Sequence, residues 1–120
     1  MLKSFTVVFS VLLLFLSSCI KEESEESTFR LKAGDSLPTF SVTLNNGTTI
    51  HNETLSGKIP VIVFFHTKCP DCQKELPVIQ KVYQHFEQST DVVVFAISRE
   101  EAFDEVMNYW SANQLTIPFS

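Results

Sequence analysis

The sequence predicts an α/β fold in which two parallel strands lie side by side and each is followed by a helix. Two apolar, largely β-branched runs carry that prediction, residues 61–65 (VIVFF) and 92–97 (VVVFAI). Each is succeeded by a stretch whose apolar residues recur at helical spacing. The order strand, helix, strand, helix joins parallel strands by a crossover, and such crossovers are right-handed. A length of 120 residues with 44% hydrophobic content suits one domain with its own core.

The chain opens with Lys3 and an apolar run over residues 5–16, about twelve residues where a membrane-spanning helix needs ~20. This reads as the hydrophobic region of a signal peptide over residues 1–18. Leu16-Ser17-Ser18-Cys19 follows it and resembles the lipobox of bacterial lipoproteins. That resemblance implies cleavage before Cys19 and lipid on its new N-terminus, an anchor with enough acyl chains to hold at a membrane. Loss of the leader leaves 8 basic against 14 acidic residues. An acidic chain without a basic cluster lacks the electrostatic footprint of a nucleic-acid binder.

Residues 19–30 read as the lipidated cysteine and an acidic tether, since Glu22, Glu23, Glu25 and Glu26 alternate with serines and offer nothing to bury. Lys21-Glu22-Glu23 also resembles the charged export signal of some Bacteroidota lipoproteins, although a solvated spacer accounts for it more simply. The domain is expected over residues 31–120. Phe40, Val42 and Leu44 alternate as in a half-buried strand, and Asn46-Gly47 suits a type I′ turn returning through Thr48, Thr49 and Ile50. A polar connection ends at Gly57-Lys58.

The run 61–65 is apolar at every position, which predicts a central strand covered on both faces. A helix is expected from Pro70 onward, with Leu76, Ile79, Tyr83 and Phe86 on its apolar stripe and a kink at Pro77, which lacks a backbone donor. A second central strand, 92–97, leads to Ser98 and Glu101 at capping-box spacing. Phe103, Val106, Met107 and Trp110 then predict a helix over residues 99–113, with Met107 and Trp110 in the core.

Cys69-Pro70-Asp71-Cys72 stands between the first strand and its helix. Paired cysteines at this spacing also occur as half of a zinc site, but zinc would need two more ligands, and His51, His66 and His85 are scattered singly through the chain. Pro70 suits the first helical position, which makes Cys69 the cap residue, where free backbone N–H groups and the helix dipole favour a thiolate. Cys69 is therefore the expected exposed nucleophile and Cys72 the shielded resolving thiol, and the two can pair only with each other or with a substrate. Lys68 should lower the Cys69 pKa and Asp71 should raise it, a partial cancellation. Glu75, three residues after Cys72, is a candidate acid/base for the resolving thiol. His66, a lone histidine at a strand end, reads as structural.

The segment VIVFFHTKCPDCQKELP, residues 61–77, is similar to the active-site block of the thioredoxin-like superfamily, in its TlpA/ResA-like (redoxin) lipoprotein and membrane-anchored branch. Gly34-Asp35, Pro38, Phe40, Glu75 and Pro77 share in the resemblance, which runs from about Lys32 to the end of the chain. It implies a thioredoxin-like fold and a reversible dithiol centre working outside the cytoplasmic membrane. Cys69 would be the attacking cysteine, Cys72 the resolving one, the two forming a redox-active disulfide, and Glu75 the active-site acid.

Two departures stand out. Positions usually held by tryptophan around the motif are Phe65 and Lys68. The family's cis-proline loop, final strands and closing helix have no counterpart before Ser120, so the fold is expected to be incomplete, a hairpin plus β-α-β-α. Residues 116–119 resemble the start of an inserted strand instead, and an uncovered sheet edge is expected to destabilise the chain taken alone.

The function expected is thiol-disulfide oxidoreduction on protein disulfides in the cell envelope. Protein dithiols, a redox partner and the membrane are the partners, and no metal or organic cofactor is required. One alternative is a peroxiredoxin-like peroxide reductase, which normally places threonine three residues before its cysteine, where this chain has His66. Another is a thioredoxin-fold lipoprotein that serves as a binding scaffold.

Overall fold

A computed structural model describes residues 30–120. The expected leader over residues 1–18, the expected lipidation site Cys19 and the expected tether up to residue 29 lie outside the described residues. Residues 30–35 include a tight turn in which the Asp35 N–H donates to Lys32 O (3.0 Å) and the Lys32 N–H to Asp35 Oδ2 (2.7 Å).

From Ser36 onward the chain forms one unit. Strand β1 (Ser41–Thr43) pairs antiparallel with β2 (Thr49–His51), Val42 opposite Ile50. The turn between them is not type I′. That type needs positive φ at both central residues, and here Gly47 has it (φ 82°) while Asn46 does not. Gly47 N–H donates to Leu44 O and Leu44 N–H to Thr48 O, which closes a three-residue loop on a left-handed glycine. Asn46 Oδ1 takes the Thr48 N–H at 3.0 Å, so asparagine supplies a side-chain acceptor rather than a left-handed backbone.

A 3₁₀ turn (Asn52–Leu55) follows β2. Its Asn52 side chain accepts the Phe40 N–H and donates to Leu37 O and Pro38 O, holding the entry strand at 2.8–3.2 Å. Strand β3 (Ile59–Phe65) then runs parallel to β4 (Val92–Ser98), from Ile59 opposite Val92 to Phe65 opposite Ser98. Helix α1 (Pro70–Phe86) makes the crossover and runs unbroken through Pro77. Helix α2 (Phe103–Ala112) follows β4.

Alternation along the two parallel strands sorts the core into two clusters. Val61, Val63, Phe65, Val92, Val94 and Ala96 meet Leu76 and Ile79 of α1 and Val106 and Trp110 of α2. Ile62, Val93, Phe95 and Ile97 meet Val42, Leu44, Ile50 and Leu55 of the hairpin side. Phe65, Phe95, Phe119 and Ile117 are at most 1% exposed, and burial of each such side chain contributes roughly 2–3 kcal/mol.

The chain end returns to the sheet. Phe119 bridges Ala96 in parallel, Ala96 N–H donates to Pro118 O and Ser120 N–H to Ala96 O. This places a third parallel segment on the far side of β4. Of the two strands expected to be central, β4 is paired on both sides among the described residues and β3 on one. On β3, Phe64 is 63% exposed, so the expectation of cover on both faces over residues 61–65 fails there, and Ile59, which precedes that run, is 64% exposed.

Helix α2 begins four residues later than the sequence suggests. Glu100 takes a left-handed backbone (φ 57°), Ala102 is the cap residue without a side-chain bond, and Ser98 and Glu101 do not form a capping box. Met107 is not core either. It is 37% exposed and Phe103 is 56% exposed, whereas Val106 and Trp110 are buried as expected. Phe103 and Met107 form one i, i+4 row and Val106 and Trp110 the next, and of the two only the second belongs to the core. At its C-terminus Gln114 is left-handed (φ 53°), and Leu115 N–H reaches back to Trp110 O, a Schellman closure that turns the chain under Trp110.

Candidate active site

Cys69 is the cap residue of α1, with extended backbone (φ −80°, ψ 119°) and Pro70 at the start of the helix. The proline loses no bond there, because the first helical N–H groups have no intrahelical partner. Cys72 N–H, one of those groups, donates to Cys69 Sγ at 3.5 Å. The backbone N–H of Cys72 is the main cause that lowers the Cys69 pKa, followed by the Cys72 thiol, against some opposing desolvation. Cys72 moves the other way. Its hydrogen bond to Cys69 raises its pKa, because it holds the proton that the Cys69 thiolate would accept.

Both cysteines are free thiols and both are half-buried, so exposure alone does not divide their roles. Packing and hydrogen bonding do, since Cys72 packs against the helix-side core. Asp71 acts in two senses on Cys69, its backbone N–H lowering the pKa and its carboxylate raising it. Lys68 does not take part as expected: its Nζ lies 3.5 Å from Glu105 Oε1 on α2. Glu75 is exposed, and with Cys72, Phe64, Leu76 and Ile79 it lines a recess of about 20 Å³. The structure thus brings Glu75 to the Cys72 side of the pair, with a carboxylate open to water.

Sequence reasoning missed the group behind the motif. Thr67, two residues before Cys69, is 7% exposed. Its N–H donates to Glu101 Oε2 (2.8 Å), its hydroxyl donates to Glu101 Oε1, and its carbonyl accepts from Gln73 Nε2 (2.8 Å). Ser98 Oγ also donates to Glu101 Oε2 at 3.0 Å, and His66 Nδ1 lies 3.4 Å from Glu101 Oε1. Burial pushes the Glu101 carboxyl up, but the donors from Thr67 and Ser98, with His66, outweigh it and hold the group below the usual carboxylate range. Thr67 and Glu101 are 34 residues apart, and no periodicity or spacing rule links them.

The turn itself is closed by Cys69 N–H to His66 O (3.0 Å) and Lys68 N–H to His66 Nδ1 (3.1 Å). His66 therefore serves the loop geometry, as a structural histidine would.

Comparison with known proteins agrees with this arrangement. Residues 32–120 match the Redoxin family model. The thiol-disulfide oxidoreductase ResA of Bacillus thuringiensis is 27% identical over 112 residues, 90% of this chain and 64% of that protein. ResA of Bacillus subtilis is 30% identical over 88 residues, 73% of this chain and 49% of that protein. The chain thus spans between about half and two thirds of the length of these relatives.

Among solved structures, one from Bacteroides thetaiotaomicron described as a candidate protein disulfide isomerase superposes with a TM-score of 0.69 at 27% identity. It covers 74% of this chain and 57% of that one. StoA from Bacillus subtilis gives 0.58 at 27% identity, covering 68% and 62%. The α/β arrangement of hairpin, parallel strands and two helices is a thioredoxin-like fold. With the match running through the strand before the two thiols, the helix that Cys69 caps and the loop that carries Glu101, the chain belongs to the Redoxin family.

Proposed function

We propose that this chain forms the dithiol part of a thiol-disulfide oxidoreductase acting on protein disulfides outside the cytoplasm, held at the cell envelope by lipid on Cys19. One observation carries the reading. The cap geometry points a free N–H at Cys69 Sγ, so one thiol of the pair is lowered and the other raised. That division is what two-step exchange requires. The names of the ResA relatives support the same reaction class.

In the reducing direction the Cys69 thiolate attacks one sulfur of a substrate disulfide. A Cys69–substrate bond forms, and the second substrate sulfur leaves as a thiolate and takes a proton. Cys72 then loses its proton and attacks Cys69 Sγ. The Cys69–Cys72 disulfide forms and the first substrate sulfur departs, so two electrons have passed from the dithiol to the substrate. Glu75, which lines the same recess as Cys72, is the proposed acceptor of the Cys72 proton.

The test is reduction of insulin disulfides by the full-length reduced protein. Cys69→Ser is expected to fall to background, and Cys72→Ser to accumulate a mixed disulfide through Cys69. Wild-type turnover by Cys69→Ser, or trapping of substrate on Cys72 in preference to Cys69, would remove the proposal.

A further inference from the structure

Glu101 is buried for a reason that the helix it precedes does not supply. Its side chain is 1% exposed. A carboxylate in such a place costs several kcal/mol unless donors surround it. Two donors come from Thr67, one from Ser98, and His66 stands beside them. The loop also takes an unfavourable backbone, Glu100 at φ 57°, immediately before the residue that it delivers. For an L-residue that conformation costs about 1–2 kcal/mol.

Thr67 has no polar group left free. Glu101 takes its N–H and hydroxyl from the β4 side, and Gln73 of α1 takes its carbonyl. The peptide leading into Cys69 is therefore tied to the end of β4 and to the first turn of α1 together. The bond from Cys72 N–H to Cys69 Sγ spans 3.5 Å, near the outer limit for sulfur, and small rotations about the Cys69 backbone would break it.

We propose that Glu101 is a positioning residue for the Cys69 thiol: by clamping Thr67 it fixes the turn that aims Cys69 Sγ at the helix N-terminus. Glu101 acts through geometry, not through its charge. The two modes have opposite signs. A nearby negative charge disfavours a thiolate, so loss of charge alone would make Cys69 more reactive. Loss of the clamp makes it less so, because the thiolate forfeits its donor. The other charged groups at this turn are His66, which touches Glu101, Lys68, which pairs with Glu105, and Asp71, which pairs with Lys74. None of them reaches the Thr67 N–H or hydroxyl.

The proposal rests on Cys69 being the nucleophile, and the experiment reads the thiol rather than turnover. The rate of Cys69 alkylation by iodoacetamide is followed against pH by mass spectrometry in the full-length protein, for the wild type, Glu101→Ala, Glu101→Gln and Thr67→Val. Glu101→Ala should slow alkylation at neutral pH about five-fold and move the profile to higher pH. Glu101→Gln keeps an acceptor for the Thr67 N–H and should stay within about two-fold of wild type. Thr67→Val leaves Glu101 in place and removes one of the two clamp bonds, so it should slow the reaction by a smaller factor, about two-fold. It carries the test if Glu101→Ala does not fold.

Faster alkylation in both Glu101 variants would show a charge effect and overturn the proposal. Unchanged profiles in Glu101→Ala, or in Thr67→Val where the alanine variant is unfolded, would overturn it equally. A wild type that alkylates at Cys69 yet reduces no protein disulfide would remove the proposed function and leave this assignment standing.

Discussion

Replacing Gln80 by leucine should weaken the protein even though leucine is apolar and the site is 7% exposed. Gln80 lies on the buried face of α1 and binds the segment that returns to the sheet. Its Oε1 accepts the N–H groups of Thr116 (2.8 Å) and Ile117 (3.3 Å), and its Nε2 donates to Thr116 Oγ1 (2.7 Å). Leucine would leave the Ile117 N–H buried without a partner, at about 1–3 kcal/mol. The more open Thr116 N–H would add about 1 kcal/mol, since water can partly replace its acceptor. Against this, leucine gains roughly 1 kcal/mol of apolar burial, which leaves a net loss of about 2 kcal/mol.

Urea unfolding of the full-length protein should show that loss as a midpoint lower by about 1 M, with the slope unchanged. Amide hydrogen exchange at Thr116 and Ile117 should speed up before exchange elsewhere in the core does. A Gln80→Leu variant as stable as wild type, or more so, would refute the reasoning, because it would mean that the two N–H groups find other acceptors. Gln80→Glu offers the intermediate case. It keeps the acceptors and loses the donor to Thr116, and at neutral pH it also buries a charge.

Further expectations concern charges around the thiols. Asp71→Asn should raise the alkylation rate of Cys69 at neutral pH about two-fold, since the carboxylate opposes the thiolate while the Asp71 N–H that assists it remains. The Asp71 side chain is 86% exposed, so added salt should shrink the difference. Glu101 has a lowered pKa in the folded state. Its contribution to stability is therefore complete above the ordinary carboxylate range and is lost as pH falls through its depressed folded value. In urea titrations the stability gap between wild type and Glu101→Gln should close on acidification. A gap that widened toward acid pH would contradict the lowered assignment.

Periodicity alone makes most of the elements legible in the sequence. The runs at 61–65 and 92–97 are strands because no other element accommodates consecutive β-branched residues so well. Cys69 is a cap residue because Pro70 follows it, a relation between neighbours that the sequence displays directly. At two of the places where spacing misleads, the cause is competition from partners distant in the chain. Ser98 and Glu101 have capping-box spacing, yet the buried Thr67 N–H and hydroxyl claim the Glu101 carboxylate, and the helix starts later. Lys68 lies beside Cys69 in sequence, yet Glu105 of α2 is the charge that it meets.

By itself the sequence determined the strand and helix order, the dithiol and its cap position, and the resemblance to the redoxin branch, because these depend on spacing along one segment. The tertiary structure alone decided which strand is paired on both sides and that Gln80 holds the returning segment. It also decided that Glu101 and Gln73 both bond Thr67, two residues before Cys69. Apart from the Gln73–Thr67 bond, which spans six residues, those bonds join residues that are neighbours only after α1 has crossed from β3 to β4, and a buried polar group takes whichever donors the packed chain brings to it.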